Sequence, residues 1–217
     1  MFKTTNNYNG VVKNFKTYRD YLSGDVKNYV YRLDGVAKYF QLSSPLVAGD
    51  NDDFTLKMKA NRGNRTAGCF LITSMNGADY GINIYSTGDY SIGAGRLSIF
   101  GLGNSPLIEG LYSFTDLDVE VSRVSGVWTL TVNGVSDTKT PTSEPPAIAT
   151  STETNLGRRV TGSFYSDGYI SNLEYYLNGT LVNQIPLTNK DQGATQLPTV
   201  GDVNATIVNY TDTWEEV

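Results

Sequence analysis

The sequence predicts an all-β chain folded as a two-sheet antiparallel sandwich, and three observations carry that expectation. Leu117, Val119 and Val121 alternate with Asp118, Glu120 and Ser122, while Trp128, Leu130 and Val132 alternate with Thr129 and Thr131. Each segment is therefore a strand with one dry and one wet face. Ser125-Gly126 joins the two segments, and Asn133-Gly134 follows them, a dipeptide that favours a two-residue hairpin turn. The dry faces need a second sheet to cover them, and 217 residues suffice for one sandwich with a real core. With 22 glycines, 15 tyrosines and many Asn, Thr and Ser, the composition favours short strands and tight turns, and no segment shows a helical stripe.

Residues 1–30 carry basic groups and aromatics without strand alternation and read as an extended arm. The sandwich is expected over 31–187. Tyr31-Arg32-Leu33-Asp34-Gly35 is a turn feeding a first strand through Tyr39, Phe40 and Leu42, and Phe54, Leu56 and Met58 form the dry face of the next. After a loop holding Arg62 and Arg65 come Cys69 to Thr73, an Asn76-Gly77 turn, Tyr80 to Tyr85, and Arg96 to Phe100. Beyond the central hairpin, Thr140 to Glu153 contains Pro145-Pro146 and reads as a long surface connection or edge. Gly168 to Val182 restores the strand pattern and includes a second hairpin signal at Asn178-Gly179. Residues 188–217 read as an acidic tail.

Composition removes several chemistries. The chain has no histidine, so Ser-His-Asp catalysis and the usual zinc sites are excluded. Its single cysteine, Cys69, cannot form an internal disulfide and reads as a buried strand thiol among Phe70, Leu71 and Ile72. No apolar run approaches membrane-spanning length, and the first residues lack the apolar core of a signal peptide. The net charge of −5 is unevenly spread. Residues 1–32 hold six basic against two acidic groups, and residues 189–217 hold one against five. Ends of opposite sign are expected to bind each other or a neighbouring copy.

Leu33-Asp34-Gly35 with Tyr39 and Leu42, Phe54 to Lys59, the Trp128 to Gly134 hairpin, Asn155-Leu156-Gly157, and Gly168-Tyr169-Ile170-Ser171-Asn172-Leu173 occur in the order in which similar segments occur in laminin-G-like domains. The chain thus resembles the laminin-G-like branch of the concanavalin A-like lectin and glucanase fold over residues 31–187. That resemblance implies a jelly roll of two antiparallel sheets in which the Gly168 strand pairs with the first strand where the domain closes. Domains of this kind serve glycan binding, adhesion, glucan hydrolysis and structural roles in phage virions. Without a signal peptide or disulfides, and with a basic aromatic arm, the chain looks like a non-enzymatic virion component on a phage capsid or tail. It would be made in the host cytoplasm and displayed on the particle surface, with other virion proteins, and copies of itself, as partners. A free-standing carbohydrate-binding lectin is the alternative and a glycoside hydrolase the third reading.

Candidate residues follow from these readings. Phe2, Lys3, Tyr8, Lys13, Phe15, Lys16, Tyr18 and Arg19 would anchor the arm on an acidic protein surface, aromatics burying area and cations fixing register. Nucleic acid is the poorer partner for an acidic chain, and no membrane insertion is expected. Tyr80, Tyr85, Tyr90, Tyr112, Tyr165 and Tyr169, with Asn76, Asn83 and Asp89, offer rings and hydrogen-bonding groups for a glycan, or else are ordinary strand and rim residues. No cofactor is required. Asp50, Asp52 and Asp53, joined by Asp79, offer oxygen ligands for Ca²⁺, although the spacing fails as an EF-hand and an acidic solvent turn explains it better. Arg158 and Arg159 would read anionic groups or simply face solvent. Asp116, Asp118 and Glu120 imitate a glucanase carboxylate strand, but successive ones lie about 6.6 Å apart along a strand, beyond the reach a retaining pair needs. A solvated strand face accounts for them better.

Overall fold

The computed structural model describes residues 28–61, 69–75, 84–87, 96–99, 105–109, 116–142, 151–159 and 165–217, with backbone alone for 69, 70, 75 and 84–87. Among the described residues, the strands run in the order β1 (Tyr29–Tyr31), β2 (Leu33–Asp34), β3 (Tyr39–Leu42), β4 (Phe54–Asn61), β5 (Cys69–Met75), β6 (Ile84–Thr87), β7 (Arg96–Ile99), β8 (Leu107–Glu109), β9 (Leu117–Val124), β10 (Val127–Val132), β11 (Val135–Lys139), β12 (Glu153–Leu156), β13 (Asp167–Leu177), β14 (Thr180–Ile185), β15 (Thr195–Gln196), β16 (Ala205–Val208) and β17 (Trp214–Glu216), with a short 3-10 turn at Lys190–Gln192 between β14 and β15. One sheet has the order β11-β10-β9-β4-β13-β14, with β2 also on β13; the other is β15-β16-β3-β12-β5-β6-β7-β8; β1 and β17 form a two-stranded ribbon. Every pairing is antiparallel. The all-β sandwich expected from the alternating segments is thus what the chain forms.

Alternation sorts the side chains. Leu130, Val121, Leu56 and Tyr175 are successive cross-strand partners on the inner face of the first sheet, all buried. Ile207, Phe40, Leu156 and Ile72 form the matching inner row of the second. Cross-strand rows of this kind are the unit of sheet stability. Ser125-Gly126, Asn133-Gly134 and Asn178-Gly179 all have positive φ at both residues, so three hairpins close through the mirror-image turns that match strand twist. Asp34 makes the turn into β3: its carboxylate accepts from the Val36, Ala37 and Lys38 N–H groups. The strand expected to pair with the Gly168 strand, β3, lies instead in the second sheet between β16 and β12, and β13 pairs at Gly168↔Leu33 with β2, inside the segment read as a turn.

One core position is charged. Arg123 falls on the inner face of β9 and is buried, its guanidinium 5.4 Å from the Phe54 ring centre and 6.0 Å from that of Trp128. It donates to the backbone carbonyls of Gly49 and Asp52, so the loop before β4 closes around it. Burial is tolerable because the carbonyls replace water as acceptors.

The segment read as an acidic tail is part of the sandwich. β16 lies on β3, with Ala205 and Ile207 buried. Buried Asn183 imitates a strand partner, donating to the Val203 carbonyl and accepting from the Val203 N–H. Buried Gln196 donates to Asn189 and Gly193 carbonyls. The last strand, β17, pairs with β1, and Trp214 and Tyr210 pack on the fully buried Tyr31 ring at 5.3 and 5.7 Å. The strands are so short and so polar outside Ala205 and Ile207 that alternation does not reveal them. Of the oppositely charged ends, Arg32 pairs with Glu215 at 3.5 Å, and the other basic groups of residues 1–32 lie outside the described residues.

Two outcomes test this account by urea denaturation. Gly201→Ala places a methyl against the Val182 carbonyl and Asn183, whereas Gly134→Ala meets open space; both have φ of +80°. Left-handed backbone alone costs Gly134→Ala about 1–2 kcal/mol, and Gly201→Ala is expected to lose clearly more. Arg123→Ala removes the side-chain donor from the Asp52 carbonyl and leaves the Gly49 carbonyl with the Asp52 N–H alone, and is expected to cost about 3 kcal/mol; a loss below about 1 kcal/mol would show that water replaces the guanidinium at little expense.

Candidate functional site

The outer face of the first sheet is the polar surface that the strand pattern leaves over. On β9 and β4, Glu120 pairs with Lys57 at 3.1 Å and Asp118 with Lys59 at 3.6 Å. On β10 and β11, the Thr129 and Thr138 hydroxyls lie 3.0 Å apart and those of Thr131 and Ser136 2.8 Å apart. On β13, the Tyr176 hydroxyl donates to Glu174 at 2.8 Å. The three parallel rows are thus charged, hydroxylic and aromatic.

At one end this face deepens into a trough of about 440 Å³, a size that suits a small ligand. Its floor is Tyr169, Ser171 and Asn172 of β13 with Lys59; Asp116 and Asp118 form one wall, and Asn28, Tyr29, Val30 and Val217 of the β1–β17 ribbon another. Tyr169 is fixed by donating to Asp116 at 2.7 Å. Burial, and then the hydrogen bond to Asp116, pushes its hydroxyl up to about 12. A second hollow of about 420 Å³ adjoins the first, sharing Lys59, Asp118 and Asn172 and extending over Lys57, Glu120, Thr131 and Glu174. The two form one groove.

Asn172 is the reason for the trough. β13 carries one residue more than β4 between the Ser171↔Lys59 and Glu174↔Lys57 pairs, and Asn172 takes the extra place at φ +52°. Asparagine adopts this left-handed backbone more readily than most side chains. Its N–H donates to the Pro186 carbonyl at 2.8 Å, outside the ladder.

Of the residues singled out for glycan binding, Tyr169 lies in this trough, and Tyr165 does not share its surroundings. Tyr165 joins Tyr39 of the opposite sheet at 6.2 Å, with the Arg158 guanidinium 5.5 Å from its ring centre and 4.6 Å from that of Tyr39. Arg158 is therefore stacked on aromatic faces. Tyr85 belongs to β6, of which only the backbone is described, and Tyr80, Asn83, Asp89, Tyr90, Tyr112 and Asn76 lie outside the described residues. So do Arg62, Arg65 and the proposed anchors Phe2, Lys3, Tyr8, Lys13, Phe15, Lys16, Tyr18 and Arg19. Asp116, Asp118, Lys59, Tyr29 and Asn172 line the trough and are not among the glycan residues expected from tyrosines and loops. The signal in the sequence is the outward face of the Asp116-Leu117-Asp118 strand, a pattern that also imitates a glucanase carboxylate row.

The acidic loop spends its oxygens locally. Asp52 accepts from the Gly49 N–H at 2.8 Å and from Asn178 at 3.0 Å, and Asp53 accepts from the Ser125 N–H at 2.7 Å. The Asn178 amide, then the Gly49 N–H, holds the Asp52 carboxyl below its ordinary value. Asp79 lies outside the described residues, and among those described no three His, Cys, Asp or Glu side chains group as metal ligands.

No family model matches this sequence, and neither does any curated protein. Among solved structures, the fold is similar to a Bacteroides ovatus protein proposed to bind carbohydrate, with a TM-score of 0.55, 10% identity, and coverage of 88% of this chain and 60% of that one. Mouse laminin alpha1 chain domains LG4-5 align at 13% identity and a TM-score of 0.46, covering 83% and 46%; Scytalido-glutamic peptidase aligns at 11% and 0.38, covering 81% and 98%. The chain thus spans three-fifths of the length of the Bacteroides protein, and at such identities the likeness is one of fold. That fold is an antiparallel two-sheet sandwich.

The Tyr169–Asp116 contact has a pH signature. The folded chain keeps a proton that the unfolded chain releases near the ordinary tyrosine value of 10.0, so the stabilisation is complete below that pH and is lost as pH rises toward about 12. Tyr169→Phe is expected to remove one ionisation near pH 12 from an ultraviolet tyrosinate titration of the folded protein. It should also flatten the fall of unfolding free energy over the same interval. An unchanged titration would mean that the hydroxyl is solvated.

Proposed function

We propose that this chain is a non-enzymatic carbohydrate-binding module whose ligand lies in the outer-face groove. The observation that carries the reading is the trough itself: Tyr169 immobilised by Asp116 in a concave site bordered by Tyr29, Asn172, Ser171 and Asp118. A sugar ring needs an aromatic surface for its C–H face and fixed acceptors and donors for its hydroxyls, and this set supplies both. The likeness of fold to a protein proposed to bind carbohydrate is in keeping with it. Hydrolysis is not favoured, because Asp118 and Glu120 face lysines and Asp116 holds a tyrosine, an arrangement for rigid display more than for proton transfer.

Display on a phage particle, as the family resemblance implies, is a setting for this module and belongs to the same proposal. The ribbon of β1 and β17 brings residue 28 beside the chain's last residues, at the edge of the trough.

The test is a glycan array with the wild-type chain and Tyr169→Ala. The side chain is only part-buried, so the variant should fold, and far-ultraviolet circular dichroism checks this. Wild type is expected to mark a related set of glycans, and the variant to lose about tenfold or more in affinity for them, as truncation of an aromatic anchor does. Binding that survives the substitution would move the site elsewhere; an array blank for both proteins would end the reading.

A further inference from the structure

Resting on that reading, we infer that the groove selects uncharged glycans and rejects acidic ones, and that Asp118 and Glu120 are the residues that set this preference. The side chains lining the two hollows include four carboxylates, Asp116, Asp118, Glu120 and Glu174, and two cations, Lys57 and Lys59. Both cations are taken. Lys57 sits 3.1 Å from Glu120 and also faces the Tyr176 ring at 5.6 Å, and Lys59 sits 3.6 Å from Asp118. The nearby Lys190 faces the Tyr29 ring at 5.3 Å and is not among the lining residues.

A uronate, sulfate or sialate entering the groove would therefore meet two carboxylates in excess with neither lysine unshared. Like-charge juxtaposition of this kind is an effective means of exclusion. Neutral sugars escape the penalty. Their hydroxyls can donate to the carboxylates and to Asn172, and accept from Ser171 and Thr131. The ion pairs themselves are open to water: the Lys59 and Asp118 side chains are 58% and 69% exposed. Exposed pairs contribute little to stability, so a selective role explains this ladder better than a stabilising one.

Affinity electrophoresis of the full chain through gels containing single polysaccharides tests the inference. The neutral probes are mixed-linkage β-glucan, galactomannan and dextran, and the acidic probes are alginate, polygalacturonate, hyaluronan and heparin. Wild type is expected to be retarded by at least one neutral polymer and by no acidic one. The double variant Asp118→Asn, Glu120→Gln releases both lysines, and is expected to gain about tenfold or more in affinity for an acidic polymer, a gain abolished by high salt. Both positions are part-exposed and the replacements are isosteric, so the fold should persist, which circular dichroism checks.

Wild-type retention by acidic polymers, alone or as strong as by neutral ones, overturns the inference and leaves the carbohydrate reading standing. A double variant that gains nothing on acidic polymers also overturns it, because the two carboxylates then do not hold the lysines back. Retention by no polymer in either set overturns the inference together with the reading beneath it.

Discussion

A single extra residue in β13 is the constraint on which the rest of the molecule turns. Strict alternation along that strand would send Ile170 inward and Leu173 and Tyr175 outward, stranding two large side chains in water. Placing Asn172 in the left-handed region resets the parity, so Ile170, Leu173 and Tyr175 are all buried while Tyr169, Ser171, Glu174 and Tyr176 remain on the outer face. Because β13 pairs with β4, β14 and β2, its register is shared by the whole first sheet. A bulge also bends and twists its strand locally, and Asn172 lines both hollows of the outer groove. Core packing and site shape therefore come from one backbone irregularity.

Buried polar groups show the same economy at the other end of the sandwich. Arg123 fills an inner-face position where every other inward residue of β9 is aliphatic, and draws the 49–53 loop down onto the sheet through two backbone carbonyls. With those carbonyls turned inward, the loop's carboxylates are left to brace neighbouring turns: Asp52 ties to Asn178 of the β13–β14 hairpin, and Asp53 to Ser125 of the β9–β10 hairpin. One loop thus holds two hairpins in place. An acidic run that looks like a cation site in one dimension serves in three as a junction.

How much of this was legible depends on the length over which a pattern repeats. The eight residues of β4 and of β9, and the six of β10, carry their alternation openly, and Asn133-Gly134 and Asn178-Gly179 announce their turns. β15, β16 and β17 have two, four and three residues, too few for a period-two signal, and they are secured by side-chain amides such as Asn183 that carry no pattern at all. The motif Gly168 to Leu173 was visible as a family resemblance, but its bulge was not, since the parity conflict among Ile170, Leu173 and Tyr175 shows only once all three are known to be inside. Tyr165 and Tyr169 are four residues apart, yet Tyr165 packs against Tyr39 of the second sheet while Tyr169 lies in a strand of the first. Nearness in sequence was a poor guide to a shared surface, whereas the outward row Asp116-Asp118-Glu120 was a good one.

The ribbon of β1 and β17 joins these threads. It is cemented by Tyr31, Tyr210 and Trp214, reinforced by Lys38, which reaches the Thr211 and Thr213 hydroxyls and lies over the Tyr31 ring, and closed by the Val217 N–H donating to the Asn28 carbonyl. The same ribbon supplies Tyr29, Val30 and Val217 to the trough, opposite residues fixed in β9 and β13. Its strands lie 180 and more residues apart in sequence, so their pairing closes a loop that contains both sheets. The floor of the trough, Tyr169, Ser171 and Asn172, belongs to the first sheet and is set by its register alone. The residues opposite belong to or flank the β1–β17 ribbon. The proposed site is therefore complete only where residues 28–30 and 217 stand beside the first sheet.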